Sequence, residues 1–464
     1  MTARLAGGDS DKLLHCLVQH KGRARKPRRH CPPVSVVINT DNRLTELKRA
    51  LAALKFQAYD NFEVCVIAGP TRDGTHDFLG GFGDRLKLAA CARRNLSRSR
   101  NIGIALSSGE IVAFLDDDAV PEPEWLTQIV ESYDNDKVGA VGGFVHDNTG
   151  IGFQARYMTV DRLGHAREDA EASPEHNFPG SPRVPHLLGT NASFRRRALL
   201  GIGGFDEHYE YFLDETDVCL RINDAGHGMV QRSDAFVHHK FAPSDIRCEQ
   251  KTIRSWYPLI KNRIYFGFSH ARGALPLDRI VEEAMIDRDK WRTYVTNAVK
   301  AGLLSYDDLE RFELEARAAL EDGLDAATKG PRQIGKEMLE AYRADFRPFS
   351  RTFPDGRQQV LVYLDPSPGQ SPVGEGQLDL VARQMASRGH QVHLVVRKSA
   401  VPFVDFDNGI WVHNLGTGTV VSGGRDEALV ATLKRLTDRR QVDAAYCRTA
   451  ERESLQYLSA LLSN

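Results

Sequence analysis

Three consecutive carboxylates, Asp116, Asp117 and Asp118, close the apolar run Ile111-Val-Ala-Phe-Leu115 and lead into Ala-Val-Pro-Glu-Pro-Glu-Trp125. Like charges a few ångströms apart repel and raise one another's pKa, so such a trio is costly without a cation beside it. A hard divalent ion removes that cost and at the same time binds diphosphate oxygens. A bare acidic triplet also occurs as a solvated turn. Here the strand before it and the proline-marked helix entry after it argue for a site. A second acidic group, Asp214, Glu215 and Asp217, comes just before Val218-Cys-Leu-Arg221. By itself it reads equally well as the solvated face of a helix. His238 and His239 end another apolar run, where a histidine either ligates or binds nothing.

These groups need a scaffold, and the chain supplies strand-helix alternation. Val34 to Thr40 is predicted as a buried strand, Leu44 to Phe56 as a helix, and Glu63 to Ile67 as the next strand. Leu86 to Ala90 reads as a third strand, Ser99 to Leu106 as a helix, and Ile111 to Leu115 as the strand that carries the acids. Such alternation predicts an α/β fold with a parallel sheet, and open sheets of that kind bind ligands at the carboxyl ends of their strands. Residues 248–346 are charged and amphipathic, a helical appendage whose aromatics (Trp256, Tyr257, Tyr265, Phe266, Phe268) are expected to form packing core. A Pro/Gly-marked linker follows at 347–357. Alternation then resumes over 358–464 as a second α/β unit, short for a complete domain.

A formal net charge of -1 over 464 residues excludes bulk nucleic-acid binding as the main role. Six basic residues do crowd between Lys21 and Arg29 in the leader, residues 1–32. They read first as a solvated, flexible run, and more sharply as a weak tether to an anionic leaflet. Seven scattered cysteines without a CxxC pair suggest neither a disulfide framework nor a zinc site. No window approaches about 18 uninterrupted apolar residues. The expectation is a cytoplasmic protein, with peripheral contact at the inner face of a membrane if the basic run acts as a tether.

Read in order, Ser35-Val-Val-Ile-Asn-Thr40, Asp73-Gly-Thr75, Ser99-Arg-Asn-Ile-Gly103, Phe114-Leu-Asp-Asp-Asp118, Leu188-Gly-Thr-Asn-Ala-Ser-Phe194, Gly203-Gly-Phe-Asp-Glu207 and Phe212-Leu-Asp-Glu-Thr-Asp-Val-Cys-Leu-Arg221 resemble the landmarks of the family-2 glycosyltransferases. The resemblance implies a GT-A fold over residues 33–247, a Rossmann-like nucleotide-binding half joined to an acceptor half. It implies a nucleoside-diphosphate sugar as donor, a glycan or lipid-linked hydroxyl as acceptor, inversion at the anomeric carbon, and Mn2+ or Mg2+ as cofactor. Asp116 and Asp118 match the outer acids of the family's DxD motif, with Asp118 nearest the metal and Asp116 or Asp117 nearer the ribose. His239 matches the strand-end histidine of the metal shell. Thr40 and Arg43 match the edge of the nucleotide pocket, and Arg100 with Asn101 the family's Ala-Arg-Asn element. Glu215 falls at the general base, with Asp214 and Asp217 as alternatives because the two acids stand in reversed order. Ala68 replaces the acid that reads the base, which leaves the nucleotide open. Surface polysaccharide biosynthesis is the destination the family suggests. A sugar-nucleotide nucleotidyltransferase and an inactive nucleotide- or sugar-binding scaffold are the competing readings. Val360 to Leu364, Gly374-Glu-Gly376 and Leu378 to Val395 resemble the start of a family-4, GT-B glycosyltransferase, a partial domain expected to be catalytically silent.

Overall fold

The computed structural model describes residues 15–19, 31–242, 246, 252–350, 359–364, 375–397, 399–416, 427–439 and 442–448. The basic run at 21–29 and the Gly374 turn lie outside the described residues.

Valine- and isoleucine-rich segments with no polar alternation must be covered on both faces, and the first half of the chain does this. Val34–Thr40, Phe62–Ala68, Ile111–Asp116 and Lys87–Ala90 are parallel neighbours, with Val34–Thr40 between Phe62–Ala68 and Ile111–Asp116. The helices Leu44–Leu54 and Leu96–Leu106 pack against this half-sheet. Beyond Ile111–Asp116 the sheet continues through Ala192–Arg195, Val138–His146, Gly228–His239 and Ala119–Pro121. The junction is antiparallel on both sides of Ala192–Arg195. A separate three-stranded sheet, Ala166–Asp169, Tyr157–Asp161 and Arg183–Pro185, stands beside the second half.

The helical appendage is real: Tyr257–His270, Leu277–Lys300 and Tyr306–Lys329 pack around Trp256, Ile260, Val295 and Phe312. Of the expected aromatic core, Trp256, Tyr265 and Phe266 are buried. A capping box of Ser305 and Asp308 starts the last long helix.

The C-terminal unit is a six-stranded sheet with helices Glu375–Ser387 and Glu427–Arg439 packed on it. Gln391–Val396, Gln359–Leu364 and Ala444–Arg448 run parallel, with Ile410–Asn414 parallel beyond Gln391–Val396 and Phe403–Asp407 antiparallel at that edge. The other edge comes from the opposite end of the chain. His15–Gln19 pairs antiparallel with Ala444–Arg448, so five residues of the expected flexible leader form a strand. Phe406, Val404 and Trp411 of this unit share a buried cluster with Ala53, Phe56 and Val120 of the first. Among the described residues no helix is long and apolar enough to cross a membrane.

Candidate active site

The acids sit where the parallel half-sheet ends and the antiparallel half begins. Ala119–Pro121 turns back at once and pairs with the end of Gly228–His239, placing Ala119 opposite His239. That register brings a residue from far along the chain beside Asp118: His239 Nε2 lies 3.2 Å from Asp118 Oδ1 and 3.9 Å from Asp116 Oδ2. The turn after His239 wraps the same residue, through its backbone carbonyl and its carboxylate. Lys240 N donates to Asp118 O at 3.0 Å, and Ala242 N donates to Asp118 Oδ2 at 2.7 Å.

The second acidic group enters from the opposite wall. The helix Asp214–Asp224 begins after Phe212 and Leu213, both in the left-handed region at φ 73° and 66°. Two such non-glycine residues in a row are strained and need outside support. Asn262, from the first appendage helix, donates to Tyr211 O at 2.7 Å and Phe212 O at 2.9 Å. Lys261 and Tyr265 of the same helix donate to His208 O and Asp206 Oδ2. The appendage thus holds the loop that aims the first turn of the helix Asp214–Asp224.

Arg100 joins the two walls. Its guanidinium is hydrogen-bonded to Asp214 and lies 3.7 Å from Glu215 Oε2 and 3.9 Å from Asp116 Oδ1. Gly189 makes room for it, since a Cβ there would stand 2.3 Å from Arg100 Nη2. Arg43 does the same for the other acids, donating to Asp117 Oδ1 at 3.0 Å and standing 3.4 Å from Asp118 Oδ2. Between the walls lies an open cleft of about 810 Å³ that Thr40, Arg43, Arg100, Asp116, Asp117, Asp118, Asp214, Glu215 and His239 line together.

The charges follow from this crowding. Burial pushes Asp117 up to about 7 against the pull of Arg43. Burial raises Asp116 as well, opposed by His239 and Arg100. Asp118 is also buried, but the hydrogen bond and charge of His239, with Arg43 and the Ala242 amide, bring it down to about 2. Asp214 is driven upward by burial and by Glu215, with Arg100 opposing. Its side chain is 1% exposed, whereas that of Glu215 is 23% exposed and open to the cleft.

Two expected site residues lie elsewhere. Asn101 is fully buried and spends its amide on the backbone of Phe205, donating to O and accepting from N, each at 2.8 Å. Asp217, on the same helix, is not among the residues that line the cleft. It is paired with Arg221 and with His270 Nε2 at 2.8 Å, which outweigh burial and lower its pKa.

The donor set fits a divalent cation. Asp116, Asp118 and His239 offer ligand atoms within 4.8 Å of one another, and buried Asp118 Oδ1 faces the His239 imidazole. Two carboxylates and an imidazole suit Mn2+-class ions. Gln154, which no motif had marked, lines the same cleft, and its Oε1 lies 2.8 Å from His239 Nδ1. Glu122, His146 and His238 cluster on the other face of the same strand. There the two imidazoles are stacked with planes 20° apart, so one ion cannot lie in both ring planes as they stand.

The sequence matches the family described as Glycosyl transferase family 2 over residues 35–203. It is 26% identical over 244 residues to the Glucosyl-dolichyl phosphate glucuronosyltransferase of Haloferax volcanii, covering 50% of this chain and 76% of that protein. It is 34% identical over 221 residues to Glycosyltransferase AglE of the same organism, covering 46% of this chain and 68% of that protein. Among solved structures, a mannosyltransferase from Pyrobaculum calidifontis in complex with GDP-Man and Mn2+ aligns with a TM-score of 0.39 at 18% identity, over 68% of this chain and 86% of that one.

Proposed function

The chain belongs to glycosyl transferase family 2, and we propose that it moves one sugar, with inversion and with the help of a divalent metal, from a nucleoside-diphosphate sugar to a hydroxyl of a glycan or lipid-linked acceptor. The observation that carries this reading is the single cleft in which Asp116, Asp118 and His239 face Glu215 across Arg100.

Asp116, Asp118 and His239 are the residues to hold the ion. Bound there, it supplies positive charge against the diphosphate that departs. The chain's own groups do the rest. Glu215, open to the cleft, takes the proton of the acceptor hydroxyl at its carboxylate as that oxygen attacks the anomeric carbon. Arg100 keeps Glu215 near the donor side and limits repulsion from Asp116 and Asp214. A base on the wall opposite the leaving group supports in-line attack, hence inversion. One relative is named for a glucosyl-dolichyl phosphate, which supports a lipid-linked acceptor. Surface polysaccharide biosynthesis is the proposed destination. The partial GT-B likeness of the C-terminal unit rests on its strand and helix pattern alone.

The test is a thermal-shift screen of the chain against UDP, GDP, dTDP and CDP, with and without Mn2+. A ligand that binds only the folded state stabilises it by about 2.7 kcal/mol at a hundredfold excess over its Kd. A metal-dependent shift with one nucleotide, lost in Asp118→Ala, is the expected result. Shifts that ignore metal, or no shift from a folded sample, would overturn the metal-dependent reading.

A further inference from the structure

The turn that follows His239 is the least self-sufficient part of the metal-holding set. Phe241 sits in the left-handed region at φ 55°, a conformation a phenylalanine adopts only under constraint. The turn is tied to Asp118 through the Lys240 and Ala242 amides and to Arg43 Nη2 through Ala242 O at 3.2 Å. A further tie comes from outside the transferase unit. Lys240 Nζ donates to Val404 O at 3.1 Å and pairs with Asp405 Oδ1 at 3.0 Å, both on the edge strand Phe403–Asp407 of the C-terminal sheet. That strand is itself locked in place. Val404 N donates to Thr149 O at 2.8 Å, and Phe406 is buried against Phe56.

Lys240 is 14% exposed, so its ammonium has little water and depends on these two oxygens. Removing the carboxylate leaves a nearly buried cation with one carbonyl in contact and the charge of Asp147 farther off. The cheapest relief is for Lys240 to swing outward, and its backbone amide is one of the donors that fix Asp118. An interaction between two units therefore bears, through the backbone of Asp118, on a residue that would hold the ion.

We propose that the C-terminal unit serves as a brace for the metal-holding turn, with Asp405 as a positioning residue that acts through Lys240. The proposal rests on the reading that Asp116, Asp118 and His239 hold the ion. It gives a role to an α/β unit that need not turn over substrate itself.

The experiment uses the full chain and two readouts. The first is Mn2+ titration followed by electron paramagnetic resonance on the wild type, Asp405→Asn, Asp405→Glu, and Lys240→Met with and without Asp405→Asn. Outer partners of metal ligands typically change affinity by about tenfold or more, and Asp405→Asn is expected to weaken Mn2+ binding about tenfold, with Asp405→Glu recovering most of it. Adding Asp405→Asn to Lys240→Met should cost nothing further, because the two act in series. The second readout is amide hydrogen exchange at Lys240 and Ala242 in metal-free protein, which should quicken in Asp405→Asn. Wild-type affinity together with wild-type exchange in Asp405→Asn overturns the brace, as do additive losses in the double variant. If the wild type binds no Mn2+, the metal reading fails, and the exchange data still decide the brace.

Discussion

His239 has two ring nitrogens, and its value as a ligand depends on which one carries a proton. Gln154 Oε1 can only accept, so the contact at 2.8 Å keeps a proton on Nδ1, and with an ion bound Nε2 would give up its own proton to ligate beside Asp118 and Asp116. Gln154→Leu removes that preference without adding charge. Mn2+ affinity, measured by calorimetry, should fall about tenfold or more, as losses of such outer partners do. Glu215→Gln tests a different property. If Glu215 takes the acceptor proton, kcat should drop by about 10²- to 10⁴-fold while nucleotide binding, read by thermal shift, is kept. Retained turnover would instead move the base to Asp214. Glu215 and Asp118 were legible as acids in a recognisable setting. Gln154 was not, because it lies on a three-residue strand with no motif and meets His239 only through tertiary pairing.

Elements carry the next layer of control. The two left-handed residues before Asp214–Asp224 persist because Asn262 spends its amide on the carbonyls of Tyr211 and Phe212. Asn262→Ala removes both hydrogen bonds, at a cost of about 1–3 kcal/mol. Steady-state kinetics should show kcat falling while KM for the donor stays near wild type, since the donor wall is untouched. A second contact ties the appendage to the three-stranded sheet: His165 stands between Asp161 and Asp287 of the helix Leu277–Lys300. The carboxylates of Asp161 and Asp287 beside it raise the imidazole to about 9. A folded value above the unfolded one of about 6.5 means that this stabilisation is complete below about pH 6.5 and fades as pH rises through about 9. Melting temperatures of His165→Gln should therefore fall below wild type at pH 6 and converge with it above pH 9. The parallel strands were readable from their unbroken apolar runs. Val138–His146 was not, because its three glycines look like turn material. Packing requires two of them: a Cβ at Gly143 would lie 1.9 Å from Ala235 O, and one at Gly142 would lie 2.7 Å from Leu187 Cδ2.

At the scale of the whole molecule, the two α/β units are joined by shared core rather than by a linker alone. Phe406 is 1% exposed and stands edge-on to Phe56 at 6.1 Å. Truncating such a side chain costs about 3–5 kcal/mol, so Phe406→Ala should uncouple the units and split a single calorimetric transition into two. One transition at an unshifted temperature would mean that the cluster contributes little. The pairing of His15–Gln19 with Ala444–Arg448 has a consequence in time as well as in space. The first strand emerges from the ribosome about 425 residues before its partner. At roughly 5–20 residues per second, it waits on the order of 20 to 80 seconds with nothing to pair with. The transferase half can fold during that interval, since its pairings close within residues 34–239. The C-terminal sheet cannot be finished until Ala444–Arg448 has emerged, and an open edge invites foreign strands meanwhile. Birth order thus separates in time two strands that lie side by side in the sheet.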